Sequence, residues 1–136
     1  LAPAPGLMDF LALLKAHGIK TALGTSAGPG NIDFILDGLG IRSNFDAVIG
    51  GAEVIKGKPN PEIYVRAAWL VHVSPENCWV IEDSLQGIEA GLSAGMKVVG
   101  ITTSHSSDEL SHTHITSPDF VDLFQKMFKD SLFLTN

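Results

Sequence analysis

The stretch VIEDSLQGIEAG, residues 80–91, decides the fold class of this sequence. It completes a short apolar run over residues 78–81 that predicts a buried strand. Two adjacent acidic residues, Glu82 and Asp83, follow that strand directly. Residues 85–94 then carry apolar side chains at helical spacing and end at a glycine, which predicts a helix. A strand, a polar turn and a helix in this order indicate one unit of a parallel α/β sheet.

The rest of the chain repeats this alternation of short apolar strands and amphipathic helices. Strands are predicted at residues 19–24, 45–49 and 97–102, and helices at residues 7–14, 32–39, 61–72 and 118–129. Strands that are nearly all apolar and separated by helices indicate a parallel sheet with both faces covered. We therefore expect an α/β fold with a Rossmann-like parallel sheet sandwiched by helices. Residues 1–136 are expected to form one domain.

Composition and charge narrow the classes of function. The 136 residues are 45% hydrophobic, which is enough for one compact core. The net charge is −6 and no basic stripe is evident, which argues against nucleic-acid binding. The apolar runs are too short to span a membrane, and no positively charged leader precedes one, so we expect a soluble, cytoplasmic protein. Cys78 is the only cysteine and is expected to be a small buried residue.

Polar residues follow three of the predicted strands, at the sheet edge where ligands of such folds bind. Thr25 and Ser26 follow the first strand, and Lys58 follows the second. Glu82 and Asp83 follow the third. Hydroxyls and loop amides can hydrogen-bond phosphate oxygens, a lysine can neutralise them, and adjacent carboxylates can hold Mg²⁺. These residue types together indicate a phosphoryl-transfer site.

Each of these residues also has a purely structural interpretation. A Thr-Ser pair often caps a turn, and a single lysine is usually a solvated surface charge. Acidic residues just before a helix often cap its N-terminus. It is the combination of Thr25, Lys58 and the acidic pair at one edge that favours chemistry over these alternatives.

The sequence resembles the haloacid dehalogenase (HAD) superfamily in three places at once. These are the strand ending at Thr25, the run GKPNP at residues 57–61, and the stretch at residues 80–91. Their order and spacing also agree with that family, and the match looks closest to its β-phosphoglucomutase-like and phosphatase branch. The resemblance implies a Mg²⁺-dependent phosphatase or phosphomutase that acts on a small phosphorylated metabolite through an aspartyl phosphate. It leaves the substrate, and the choice between mutase and phosphatase, open.

The resemblance also implies roles for individual residues. Thr25, Ser26 and Lys58 are expected to bind the phosphoryl group, with Thr25 and Lys58 acting in catalysis. Glu82 and Asp83 are expected to bind Mg²⁺.

The family pattern is incomplete in this sequence. Family members carry a nucleophilic aspartate, and a second aspartate two residues later, after the first strand of the core. Asp9 and Asp33 do not replace them, because both fall in predicted helices. We expect this first strand and the cap domain to be absent from the chain, which would then be inactive alone.

Loss of a central strand would leave two strand edges unpaired, which favours a strand-completing partner or self-association. A non-catalytic HAD-like binding or regulatory protein is the alternative function. An Asp-x-Asp segment encoded before Leu1 would favour the enzyme.

Two further groups of residues are expected to be structural. Tyr64 and Trp69 lie in a helical pattern and are predicted to pack in the core or at its edge. His105, His112 and His114 are predicted to lie in a solvated loop and not to form a zinc site, because no cysteine or helical histidine pair accompanies them.

Overall fold

Five short parallel strands form the centre of the protein. The computed structural model describes residues 3–129, and these contain β1 (Ala22–Gly24), β2 (Ala47–Ile49), β3 (Trp79–Glu82), β4 (Lys97–Ile101) and β5 (Ile115–Ser117). Every hydrogen-bonded strand pair is parallel. The strands form two groups, with the order β1-β2 in one and β3-β4-β5 in the other.

Helices connect the strands, mostly where the sequence predicts them. They are α1 (Leu7–Ala16), α2 (Pro29–Leu39), α3 (Glu62–Leu70), α4 (Leu85–Ser93) and α5 (Phe120–Phe124), which continues into a π-helical turn at Gln125–Lys129. The glycine Gly40 follows α2 in a left-handed conformation with φ of 65°, as expected of a residue that ends a helix. At the start of α4, Ser84 Oγ accepts a hydrogen bond from the Gly87 amide at 3.0 Å.

Helices cover both faces of the strands. In β4, Val98 packs in one cluster with Ile88 of α4, whereas Val99 packs in another with Phe10 of α1 and Leu123 of α5. Neighbouring residues of a strand point to opposite faces, so an all-apolar strand must be buried on both sides. The prediction of an α/β fold with a parallel sheet between helices is thus confirmed.

The two strand groups are joined by α3 and not by a backbone ladder. Ile63 and Ala67 of α3 pack in one cluster with Ile49 of β2 and Val80 of β3. Among residues 3–129, β1 pairs only with β2, and β3 pairs only with β4. One edge of β1 and one edge of β3 therefore have no strand partner within the described part of the chain.

One strand is missed by the sequence analysis, and two predictions about individual residues are wrong. Strand β5 gives no signal of its own, because its three residues are too few for a periodic pattern and its position is set by pairing with Val99 to Ile101. Trp69 is 74% exposed, since the buried face of α3 is built from Ile63, Tyr64, Ala67 and Ala68. Cys78 precedes β3 and is only partly buried, with its Sγ donating to the Ser74 carbonyl at 3.5 Å.

Within residues 3–129, none of the helices combines the length and apolar character that crossing a bilayer requires.

The close packing of α4 on the strands gives a stability prediction. A Cβ at Gly91 would lie 2.9 Å from a methyl group of the buried Val98, whereas a Cβ at Gly30 in α2 would meet nothing within 4 Å. Alanine has a higher helix propensity than glycine at both positions. A difference between the two variants in the free energy of unfolding therefore reports on packing. We expect Gly91→Ala to lower the free energy of unfolding by about 1–3 kcal/mol and Gly30→Ala to change it by less than about 1 kcal/mol, measured by urea unfolding. Equal effects would contradict the close contact.

Candidate active site

Lys58 links the carboxyl ends of two strands that do not pair with each other. Its Nζ donates to the Gly24 carbonyl at the end of β1, at 3.3 Å, and to Glu82 Oε2 at the end of β3, at 2.9 Å. The Lys58 and Glu82 side chains are only 12% and 11% exposed, so water screens this ion pair weakly. One ammonium group therefore fixes the relative position of the two strand ends.

The segment before α3 positions Lys58 at these strand ends. The Glu62 carboxylate accepts hydrogen bonds from the amides of Ile55 and Lys56, at 2.9 and 3.1 Å, and these bonds hold the pKa of the carboxyl below its usual value. Further along, the peptide bond between Lys58 and Pro59 is cis. The Lys58 ammonium then lies 5.1 Å from the centre of the Tyr64 ring, within range of a cation–π interaction.

Glu82 receives five hydrogen bonds. Its Oε2 accepts from the Tyr64 hydroxyl at 2.6 Å and from Lys58 Nζ at 2.9 Å. Its Oε1 accepts from Ser84 Oγ at 3.2 Å and, over longer distances, from the amides of Asp83 at 3.3 Å and Ser84 at 3.4 Å. A carboxylate offers about four lone-pair directions, so the acceptor capacity of Glu82 is filled by the protein itself.

Sequence reasoning assigned Tyr64 to packing and missed its contact with Glu82. Tyr64 is 9% exposed and lies in the first turn of α3, which begins close to the strand ends. A buried phenol needs a hydrogen-bond partner, and a helix that starts at the ligand-binding edge can aim one there. Those two facts are the signal in the sequence that could have identified it.

The environment shifts the pKa values of these two groups in opposite directions. Burial alone would raise the pKa of the Glu82 carboxyl, but the hydrogen bonds from Tyr64 and Lys58 and the charge of Lys58 outweigh it and lower the pKa below its usual value. Burial first, and then the negative charge of Glu82, raise the pKa of the Tyr64 hydroxyl far above its usual value. Glu82 is therefore an anion at neutral pH, and Tyr64 is its neutral donor.

Gly87 provides the space that the Glu82 carboxylate occupies. A Cβ at Gly87 would overlap the carboxylate carbon and Oε2 of Glu82. The first turn of α4 can therefore approach this carboxylate only with glycine at this position.

Asp83 differs from Glu82 in its surroundings. Asp83 is exposed, and its Oδ2 accepts one hydrogen bond, at 3.3 Å, from Thr103 beyond the end of β4. Successive residues of an extended chain point in opposite directions, which accounts for one carboxylate turned inward and the other outward. Asp83 therefore keeps lone pairs available to a ligand. The sequence analysis does not identify Thr103 as its neighbour.

Thr25 and Ser26 occupy the turn directly after β1. The Thr25 amide donates to the Ile49 carbonyl at 3.0 Å, and Thr25 Oγ1 accepts from the Ala27 amide at 3.2 Å. Because the hydroxyl oxygen is used as an acceptor, its proton remains able to donate outward. Ser26 is exposed beside it.

The acidic pair suits Mg²⁺ in chemistry but contributes unequally. Carboxylate oxygens are the ligands that this ion prefers, and it commonly takes one or two carboxylates while keeping several waters. Asp83 can offer an oxygen directly, whereas Glu82 must exchange one of its weaker hydrogen bonds first. The part of the chain that the structure describes holds no group of three or more His, Cys, Asp or Glu residues placed to bind a metal. The two carboxylates would thus fit a Mg²⁺ ion that keeps several of its waters.

Two of the histidines after β4 make separate local contacts. His114 Nδ1 accepts a hydrogen bond from the Val98 amide at 3.0 Å, and its ring packs against Trp79 with centroids 6.1 Å apart. His105 lies 3.3 Å from the Glu109 carboxylate in the loop. These contacts give both residues local structural roles.

Comparison with known proteins extends these observations. A family model described as haloacid dehalogenase-like hydrolase matches residues 1–95. The bifunctional riboflavin kinase/FMN phosphatase of Arabidopsis thaliana is 38% identical over 98 residues, which are 71% of this chain and 26% of that protein. The β-phosphoglucomutase of Bacillus subtilis is 41% identical over 97 residues, which are 71% of this chain and 42% of that protein.

A solved structure of similar fold also belongs to a β-phosphoglucomutase. The crystal structure of β-phosphoglucomutase from Clostridium difficile superposes with a TM-score of 0.80 and 28% identity, over 95% of this chain and 57% of that one. The chain spans less than half of the length of the Arabidopsis thaliana and Bacillus subtilis relatives.

The buried phenol gives a prediction that optical titration can check. Tyr64 is the only tyrosine of the chain, so tyrosinate absorbance in the near ultraviolet reports on it alone. We expect no ionisation in the folded chain near the usual tyrosine pKa of about 10. Above that pH the unfolded chain has lost the proton that the folded chain keeps, so stability should fall as pH rises.

Glu82→Gln provides the matched variant for this titration. This variant removes the negative charge beside Tyr64 but leaves the phenol buried. The pKa of Tyr64 should therefore fall relative to the wild type while staying above the usual tyrosine pKa. Ionisation of Tyr64 near pH 10 in the folded wild-type chain would contradict the buried hydrogen bond.

Proposed function

Because the chain belongs to the haloacid dehalogenase-like hydrolases, we propose that it is the core of a Mg²⁺-dependent enzyme transferring the phosphoryl group of a small phosphorylated metabolite. The observation that supports this most directly is the position of Lys58. Its ammonium is held between Gly24 at the end of β1 and Glu82 at the end of β3, at 3.3 and 2.9 Å. Phosphoryl transfer depends mainly on positioning and on stabilising charge, and a fixed, weakly screened cation supplies both.

The free hydrogen-bond donors at this edge suit a phosphoryl group. An ammonium has three donors, and Lys58 uses two of them on Gly24 and Glu82, which leaves one for a phosphoryl oxygen. The Thr25 proton is available because its oxygen already accepts from Ala27. We assign phosphoryl binding to Lys58, Thr25 and the exposed Ser26, with Lys58 and Thr25 acting on the transferred group.

Asp83 and Glu82 form the proposed metal-binding pair. Asp83 would bind Mg²⁺ through a carboxylate oxygen, and Glu82 would bind it less directly, since its oxygens are engaged by Tyr64, Lys58 and Ser84. When bound, the ion would neutralise negative charge on the phosphoryl oxygens.

The nucleophile is proposed to come from outside the described residues. Asp9 lies in α1, and Asp33 lies in α2 with its carboxylate 2.7 Å from Arg42, so neither follows a strand end. An aspartate at the end of a strand that pairs with the unpaired edges of β1 and β3 would reach the edge where Lys58 lies. On this proposal, residues 3–129 hold the phosphoryl group but do not complete the reaction.

The substrate class rests on the relatives. Their names refer to a phosphoglucomutase and to a phosphatase of FMN, and both involve small phosphomonoesters. A mutase returns the phosphoryl group to another position of the substrate, whereas a phosphatase passes it to water. Phosphate release from a panel of sugar phosphates and FMN by the full-length gene product, with Mg²⁺, separates the two. A product that binds these compounds and neither hydrolyses nor isomerises them would favour a binding role.

Lys58→Ala tests the role of the ammonium. In the full-length gene product we expect turnover of p-nitrophenyl phosphate to fall by about 100-fold or more, because a charge stabilising the transition state is removed. Lys56→Ala is the matched control, since Lys56 is exposed and only its backbone amide is held by Glu62. Near-normal turnover in a folded Lys58→Ala protein would reject the assignment.

Asp83→Asn tests the metal site independently of turnover. Calorimetric titration of the folded chain with Mg²⁺ should show weak binding, and the variant should weaken it by at least about tenfold through loss of a carboxylate ligand. Asp108→Asn removes an equally exposed charge from the loop after β4 and should leave the affinity unchanged. Identical affinities in the wild type and Asp83→Asn would refute direct binding.

A further inference from the structure

We propose that Tyr64 is a positioning residue that holds Glu82, and through it Lys58, in the arrangement used for phosphoryl transfer. The inference rests on the proposed function and extends it to a residue of α3 outside the acidic and lysine motifs. Tyr64 would not touch the substrate itself. Its role would be to fix the direction of the cation that does.

Tyr64 contacts both members of the ion pair. Its hydroxyl donates to Glu82 Oε2 at 2.6 Å, the shortest of the five hydrogen bonds to that carboxylate. The same oxygen accepts from Lys58, and the Lys58 ammonium also lies 5.1 Å from the centre of the Tyr64 ring. The hydroxyl therefore orients the anion while the ring face attracts the cation.

The other contacts of the pair are too weak to fix it as firmly. The three bonds to Glu82 Oε1 measure 3.2 to 3.4 Å, and the bond from Lys58 to the Gly24 carbonyl measures 3.3 Å. Glutamate and lysine side chains have several rotatable bonds, so these longer contacts restrict the geometry of the pair less than the 2.6 Å bond from Tyr64 does. The Tyr64 side chain is only 9% exposed, so packing restrains it and it is the least mobile of the three side chains.

The hydroxyl can be separated from the packing of the ring. The ring belongs to the same core cluster as Ile63 and Ala67, and phenylalanine would fill that space equally well. Tyr64→Phe thus removes one charge-assisted hydrogen bond and leaves the ring against Lys58. If Tyr64 served only for packing, this substitution would leave kcat and the position of Lys58 unchanged.

Loss of the hydroxyl should appear in turnover more than in binding. An ammonium with a less defined direction stabilises the transition state less well, because small displacements of a catalytic group are costly. In the full-length gene product with Mg²⁺ and p-nitrophenyl phosphate, we expect Tyr64→Phe to lower kcat about tenfold while KM changes by less than about threefold. Ile63→Val, a conservative change at the neighbouring buried position, is the control and should leave kcat within about twofold.

A second measurement reads the position of Lys58 without activity. Brief acetylation with acetic anhydride, followed by mass spectrometry, gives the labelling rate of Lys58 relative to the exposed Lys20 and Lys56 in the same sample. Lys58 should be labelled slowly in the wild type and in Ile63→Val. Its relative rate should rise at least about threefold in Tyr64→Phe and in Glu82→Gln, because both release the ammonium from its anchored partner.

The two measurements separate this inference from the proposed function. If the protein turns over no phosphate ester, faster labelling of Lys58 in Tyr64→Phe still supports the positioning role. If Glu82→Gln accelerates labelling of Lys58 and Tyr64→Phe does not, the role of Tyr64 is overturned, whatever the activity. An unchanged kcat in a folded Tyr64→Phe enzyme would overturn it equally.

Discussion

The ion pair between Lys58 and Glu82 is the constraint on which the rest of the site depends. Two charges that are mostly removed from water are tolerated only when each has partners, and here the partners come from β1, from α3 and from the turn between β3 and α4. Gly24 at the end of β1, Tyr64 in α3 and Ser84 at the start of α4 all contact the pair. Placing this pair correctly therefore requires that the strands, α3 and the turn into α4 are all in place.

The helices and the first four strands could be predicted because their signals are local. Apolar runs mark the strands, and glycines mark the ends of helices, as at Gly40 and Gly95. The predicted strand at residues 19–24 is longer than the observed Ala22–Gly24, because the extent of a short strand is set by its partner and not by its own sequence. The same reason hides β5, whose three residues form a strand only beside β4.

The residues of the candidate site could be predicted, but not the relations among them. Sequence reasoning treats Glu82 and Asp83 as equivalent ligands, whereas the structure turns one toward Lys58 and leaves the other exposed. Helical periodicity places Tyr64 on a buried face without indicating that its hydroxyl reaches a carboxylate 18 residues away in sequence. Such contacts depend on how α3 crosses the strand ends, which is a tertiary property.

The division of the strands into two groups has a consequence for dynamics. Within the described residues, backbone ladders hold β1 to β2 and β3 to β4 and β5, whereas the boundary between the two groups is crossed by side-chain packing and by the contacts of Lys58. Proteins open most readily where few backbone hydrogen bonds cross a boundary, and such openings leave the flanking units folded. Amide protons inside each ladder can therefore stay protected from hydrogen exchange while β1 and β3 move apart at this boundary. Lys58 lies at this boundary, so among residues 3–129 the site can open and re-form while each ladder stays folded.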